Sequence, residues 1–180
     1  IPLGVVSVLE GDPGLGKSNV TMAIAAAISS GSGVPWSNDR PQGRVLILSA
    51  EDDPARIIKP RLIANGADFS NERLRFAREP FSLDDQGLQL LQHEIEQFNP
   101  TLVIIDPIVA LMGAGVDAHK STDMTLFFKG LYMIARRHDC AILVVRHLRK
   151  SRQGDALMQG RPLHQQIDLL RILQLRRQTA

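Results

Sequence analysis

The sequence contains a single cysteine, Cys140, which excludes an intramolecular disulfide and points to a reducing, cytoplasmic setting. No apolar run approaches the ~20 residues of a membrane span, and no signal-peptide pattern opens the chain, so no membrane contact is expected. Net charge is also scarce. At +2, with a sequence pI of about 9.0, the chain permits a nucleic-acid partner without arguing for one. Histidine, cysteine and acidic residues never fall at zinc-ligand spacing, and no nucleophile triad is visible. Aromatic residues make up only 4%, and none is interleaved in the basic run Arg146, Arg149, Lys150, Arg152, which removes a platform for base stacking there. An initiator methionine is missing too. Ile1 stands at the edge of an apolar run, so the chain is expected to be a piece with sequence missing upstream.

What is present suits one α/β domain with a proper core, since 180 residues are 44% hydrophobic. The first strong feature runs from Val5 to Ser18. The apolar stretch Val5-Val6-Ser7-Val8-Leu9 reads as a buried strand and breaks into a glycine-rich turn ahead of a helix-forming run from Asn19 to Ser29. Gly11 to Ser18 fit G-x-x-x-x-G-K-[ST], the phosphate-binding P-loop. Its glycines let backbone N–H groups converge on one phosphate, and the new helix adds the positive end of its dipole. The expected nucleotide-binding set is Gly11, Asp12, Pro13, Gly14, Leu15, Gly16, Lys17, Ser18 and Asn19. Lys17 would reach the β- and γ-phosphates of ATP, and Ser18 would offer its hydroxyl to Mg²⁺.

Beyond the Gly31–Gly43 loop, whose Trp36 reads as a hydrophobic plug, a second strand is expected over Arg44–Ala50. It ends on three acids, Glu51, Asp52 and Asp53. Asp53 suits an N-cap for a helix running to about Ala64, which Pro60 should kink or split. Leu74–Ala77 reads as a short extra strand. Asp84 and Asp85 introduce a helix from about Gln86 to Phe98, with Leu88, Leu91, Ile95 and Phe98 on one face. Leu102–Asp106 is a third long strand, Met112–Thr122 a mobile polar run, and Asp123–Arg137 a helix that turns Leu126, Phe127, Leu131 and either Met133 or Ile134 inward. Ala141–Val145 is a fourth long strand, ending in Arg146 and His147. Strands buried on both faces and alternating with helices imply a mainly parallel sheet, whose ligands sit at the carboxyl ends of the strands. The P-loop, Glu51, Asp106 and His147 all follow strands, so one sheet edge should gather them.

Asp106 closes four apolar residues, the Walker B arrangement, and with Ser18 forms the expected Mg²⁺ site. Pro107 follows it, so the group that activates water must come from elsewhere: Glu51, or in second place Asp52. His147 suits a sensor of the γ-phosphate or, more blandly, a solvent-facing histidine. The catalytic set is thus Lys17, Glu51, Asp106 and His147. His93, His119, His138 and His164 receive no role.

The combination of Glu10–Ser18, Leu48–Asp53, Leu102–Pro107 and Val144–Ser151 resembles the RepA-type branch of the RecA-like ATPases, which includes hexameric replicative helicases of plasmids and many mobile-element ATPases of the AAA family. The resemblance covers about Ile1 to Gly154. It implies a RecA fold, a homo-oligomeric ring (in the intact protein a hexamer) with ATP bound between subunits, and Mg-ATP hydrolysis coupled to movement on single-stranded DNA. It also implies phosphate and Mg²⁺ roles for Lys17, Ser18 and Asp106, water activation for Glu51 and sensing for His147. The chain departs from the family pattern in its last segment. There residues 155–180 read as a divergent or truncated, amphipathic helical tail, with Leu163, Ile167, Leu170 and Leu173 on one stripe. A sheet short of its last strands would leave an open edge that needs covering. Arg161, Arg171, Arg176 and Arg177 are candidates by charge for the arginine finger. A regulatory ATP-binding module, in which nucleotide controls partner assembly, is the alternative to a motor. A small-molecule kinase is a third reading, disfavoured because no acceptor-substrate lid is evident.

Overall fold

A computed structural model describes residues 1–33, 40–77, 81–113, 121–147 and 171–174. The apolar runs become strands, and the helices follow in alternation. In chain order these are β1 (Val6–Gly11), α1 (Lys17–Ser30), β2 (Val45–Ser49), a π-helical turn (Pro54–Ile58), α2 (Lys59–Ala64), β3 (Leu74–Phe76), α3 (Asp85–Phe98), β4 (Leu102–Asp106), α4 (Ile108–Leu111), α5 (Ser121–Arg137), β5 (Ala141–His147) and β6 (Arg171–Gln174). One six-stranded sheet has the order β3-β2-β4-β5-β1-β6. The first five strands in that order are mutually parallel, and β6 alone runs antiparallel, against β1. This is the expected α/β fold of a RecA-like P-loop NTPase.

Period-two alternation divides each central strand between two apolar layers. Leu46 and Leu48 of β2 pack with Leu91, Ile95 and Phe98 of α3 and with Phe127, Leu131 and Ile134 of α5. Val45 and Ile47 turn to the other face, against Met22 and Ala25 of α1 and Leu62 of α2. Covered on both faces, β4 is buried at all five positions, including its terminal acid. On α5 the inward residue is Ile134, whereas Met133 is 54% exposed.

Several local expectations hold. Asp84 caps α3 by accepting from the Gly87 N–H at 2.9 Å, and Asp53 caps the turn after β2 by accepting from the Arg56 N–H at 2.7 Å. Pro60 does split its helix, at the junction of Ile58 and Lys59. Ahead of it the N–H groups of Ile58 and Lys59 reach the carbonyls of Asp53 and Pro54, each five residues back. A proline has no N–H, and its ring crowds the carbonyl four residues earlier, so a wider turn ahead of it accommodates the ring. One element was not expected: the single turn α4, where Ile108 and Leu111 are buried and packing outweighs the short local signal. Trp36, His119, the run from Leu148 to Leu170 (with Arg149, Lys150, Arg152, Arg161 and His164), Arg176 and Arg177 lie outside the described residues.

The tail needs a correction. Arg171–Gln174 is a strand and not part of a helix, paired with β1 in the register Ser7↔Gln174 to Glu10↔Arg171. Without it β1 would be an edge strand with a free row of backbone groups. Those groups offer hydrogen bonds that override the weak amphipathic periodicity. The open edge anticipated from the sequence is therefore covered by the tail itself.

Leu46 has no exposed surface and stands between β4 and α3. Leu46→Ala should cost about 2–5 kcal/mol, read as a lower urea midpoint at an unchanged slope. A loss below about 0.5 kcal/mol, the ordinary range for a surface position, would contradict the close packing of this layer.

Candidate nucleotide-binding site

The sheet order builds the site. β5 lies between β1 and β4, and α1 crosses from the end of β1 to pack against β1, β2 and β4. The carboxyl end of β1 therefore faces that of β4 across the end of β5. In register, Gly11 stands opposite His147, and Ser49 opposite Asp106.

Between β1 and α1 the chain turns through Gly14 at φ 81° and Gly16 at φ 78°, a region that side-chain-bearing residues rarely adopt. A Cβ built on either would meet nothing within 4 Å, so the backbone conformation, and not crowding, is what calls for glycine there. Gly16 caps α1 without a side chain, and no acid occupies the first turn. The orphan N–H groups of that helix end are thus left for an external anion. Lys17 is only 2% exposed. Its Nζ donates to the Gly11 carbonyl at 2.8 Å and the Asp12 carbonyl at 2.7 Å. Burial pulls its pKa below the ordinary lysine value, while Asp106 and Asp12 push back toward the charged form. These features fit a phosphate group.

Asp106 is 7% exposed. Burial raises its pKa above the usual carboxylate value; a hydrogen bond from Ser18 and the charge of His147 lower it, and Glu51 and Asp52 raise it again. Thr21 Oγ1 donates to the Ser18 carbonyl at 2.9 Å and reaches Asp106 Oδ2 at a long 3.5 Å. A hydroxyl beside a buried carboxylate is the hard-oxygen pair that Mg²⁺ takes from a protein when phosphates and water complete its shell. No group of three or more His, Cys, Asp or Glu side chains is placed to hold a metal among the described residues. The residues present fit Mg-ATP.

A cleft brings Ser18, Ser49, Glu51, Asp52, Arg61 and Asp106 together. Glu51 is exposed and makes no hydrogen bond or ion pair among the described residues. Asp52 is held: its Oδ2 accepts from Arg61 Nη1 at 2.7 Å, and its N–H donates to Ser49 Oγ at 3.3 Å. Among the described residues His147 Nδ1 is enclosed without a hydrogen-bond partner, beside both Gly11 and Asp106. Asn19 is exposed on the first turn of α1. Arg146, the one described cation of the basic run, faces Glu10 of β1 at 3.4 Å. His138 lies 3.9 Å from Glu96, away from the cleft, and His93 has no place in it. Cys140 is buried and its thiol is pushed up to about 11.

Two residues went unnoticed in the sequence, Thr21 and Arg61. Thr21 was accessible, because position i+3 shares a helix face with Ser18. Arg61 was not, because its direction depends on the π-helical turn before α2. No helix among the described residues is long and apolar enough to cross a membrane.

A model of a family described as AAA domain matches residues 1–153. The DNA repair protein RadA of Streptococcus pneumoniae (strain ATCC BAA-255 / R6) is 27% identical over 150 residues, 82% of this chain and 31% of that protein. The RadA of Streptococcus pyogenes serotype M6 is likewise 27% identical over 150 residues, 82% of this chain and 28% of that protein. The chain spans less than a third of the length of these relatives.

Because the folded state holds the Asp106 proton more tightly than the unfolded chain does, ionised Asp106 costs stability at every pH above its raised pKa. Asp106→Asn should therefore raise the melting temperature without nucleotide at neutral pH, and that gain should fade as pH falls through the carboxylate range. The same variant should lose Mg²⁺-dependent nucleotide binding or turnover by about 10²–10³-fold, as for other lost electrostatic stabilisers. Parallel melting curves from pH 4 to 8 check the first statement, and a melting difference that does not change with pH would contradict it.

Proposed function

The chain belongs to the AAA domain family, and on that premise we propose that it hydrolyses Mg-ATP as a RecA-like, DNA-associated motor of the kind found among RepA-type helicases. The observation that carries this reading is the gathering, at one end of the sheet, of a P-loop helix without a side-chain cap, a hydroxyl beside a buried carboxylate and a carboxylate unpaired among the described residues. The DNA association rests on the RadA relatives, which are DNA repair proteins, and on the basic residues that follow β5 in the sequence.

In the proposed reaction the P-loop N–H groups hold the phosphates, and Lys17 exchanges its contacts with the Gly11 and Asp12 carbonyls for phosphate oxygens. Ser18 and Asp106 would hold Mg²⁺, which would supply positive charge against the phosphates. Glu51 takes a proton from water as the water oxygen bonds to the γ-phosphorus. The bond from that phosphorus to the bridging oxygen breaks, its electron pair leaves on ADP, and inorganic phosphate is released. Glu51 is preferred over Asp52 because Asp52 already carries the Arg61 guanidinium. His147, whose Nδ1 has no partner among the described residues and which lies opposite Gly11, would register the γ-phosphate and its loss. Assembly into a ring, a hexamer in the intact protein, would bring a neighbour's arginine to the same cleft.

One observation favours a second reading. Arg61 is the only guanidinium lining the cleft among the described residues, and an arginine finger contributes about 10³–10⁵-fold in turnover. Without one the domain would bind ATP tightly, hydrolyse it slowly and use the nucleotide to control assembly.

Phosphate release with Mg-ATP, with and without single-stranded oligonucleotide and alongside sizing with nucleotide, separates the two. Stimulated release from an oligomer is the expected result, and tight binding by a monomer without turnover would replace the motor with the assembly module. Lys17→Ala should cost about 10–100-fold in nucleotide affinity, the worth of one charged hydrogen bond. Glu51→Gln should keep that affinity and lower turnover by about 10²–10⁴-fold. Normal hydrolysis by Glu51→Gln would move the base to Asp52.

A further inference from the structure

The cleft holds three carboxylates, Asp106, Glu51 and Asp52, and the last two both act electrostatically on the first. Among the described residues a single guanidinium lines it, and its ion pair is with Asp52, through Arg61 Nη1 to Asp52 Oδ2 at 2.7 Å. The partners are 42% and 33% exposed. An ion pair so open to water adds little to stability, because solvent screens it and two side chains must be ordered. Its consequence is geometric. Asp52 is fixed at three points: its side chain by Arg61, its N–H by Ser49 Oγ at 3.3 Å, and its carbonyl by the same hydroxyl at 3.4 Å. Ala50 and Glu51 are the two residues between Ser49 and that fixed point, so the short segment that carries Glu51 is held at both ends, while its carboxylate has no partner among the described residues.

The reach of Arg61 is itself built into the fold. Asp52 precedes the π-helical turn and Arg61 follows it in α2. Each residue of helix turns the chain by about 100°, so the i→i+5 bonds at Ile58 and Lys59 reset where the next residues project. A continuous α-helix from Asp53 would carry Arg61 to a different side.

We propose that Arg61 is a positioning residue for the reaction, which clasps Asp52 against Ser49 and so sets the turn that presents Glu51 to the attacking water, while withholding Asp52 from acting as a base. The inference rests on the hydrolytic reading above and adds to it an element outside the P-loop and strand-end motifs. Arg61 acts through Asp52 and touches neither phosphate nor water.

The test compares kcat, KM and the affinity for ATP and ADP in the parent chain, Arg61→Ala, Arg61→Lys, Asp52→Asn and the Arg61→Ala/Asp52→Asn double variant. The clasp predicts that Arg61→Ala and Asp52→Asn each lower kcat about tenfold, with KM and both affinities within about twofold. The double variant should be no worse than either single one, because the two changes remove one interaction. Arg61→Lys should recover part of kcat, since it keeps the charge and loses the planar fork. Multiplying effects in the double variant would overturn the proposal. So would a loss of ATP affinity with ADP affinity unchanged, which would put the guanidinium on the γ-phosphate. Hydrogen exchange over Ser49–Arg56 without nucleotide supplies a second readout that needs no turnover. Protection should fall alike in Arg61→Ala and Asp52→Asn, and unchanged protection would also overturn the clasp. A parent chain without any phosphate release would remove the hydrolytic reading, yet leave this second readout to decide whether the clasp exists.

Discussion

Asp106 is a carboxylate placed where its charge is disfavoured. It ends a strand whose other four residues are buried and apolar, and burial outweighs the help it receives from Ser18 and His147. Two further acids in the same cleft add repulsion. Lys17 has the complementary difficulty, since its ammonium is buried and satisfied by two carbonyls of its own loop. Each group is strained toward neutrality by the fold and would be relieved by a ligand of opposite sign: the carboxylate by a divalent cation, the ammonium by a phosphate. Under the proposed function both costs would be relieved by Mg-ATP, and the packed sheet on either side is rigid enough to sustain them.

The sheet order determines how the two strained groups are spaced. Neighbouring strands lie about 4.8 Å apart, and one strand, β5, separates β1 from β4. The ends of the P-loop strand and the Asp106 strand are thus about two strand widths apart, with the end of β5 between them. That position is filled by His147, in register with Gly11. A polar side chain whose Nδ1 has no partner among the described residues therefore ends the strand that lies between the P-loop strand and the Asp106 strand.

Much of this was legible in the sequence, for a physical reason. Strands covered on both faces must be apolar throughout, so β1, β2, β4 and β5 announce themselves as unbroken runs. The polar residue that ends each run is marked as a site candidate by its place at the carboxyl end of a parallel sheet. The caps Asp53 and Asp84 were legible because a capping side chain acts within three residues. What escaped depends on phase or on distant partners. The ion pair of Asp52 with Arg61 needs a π-helical turn whose register no local propensity specifies, and the turn α4 exists because Ile108 and Leu111 find a core to enter. The strand Arg171–Gln174 escaped for the same reason: its leucine spacing suggested a helix, but its structure is set by the vacant edge of β1.

That edge matters to the site even though β6 contributes no described side chain to it. β1 carries the turn through Gly14 and Gly16, and the position of that turn can be no firmer than the strand that leads into it. With β5 on one side and β6 on the other, β1 is hydrogen-bonded along both edges up to Glu10, one residue short of Gly11. Glu10 is at the same time the ion-pair partner of Arg146 and the register partner of Arg171. The last fully paired residue before the P-loop thus has an arginine position on each neighbouring strand. A negative charge on Glu10 is compensated within the sheet and does not have to be borne by the phosphate-binding turn next to it, where it would oppose an anion. The strand Arg171–Gln174 can in this way support the P-loop from a distance, by closing the edge of the strand that leads into it.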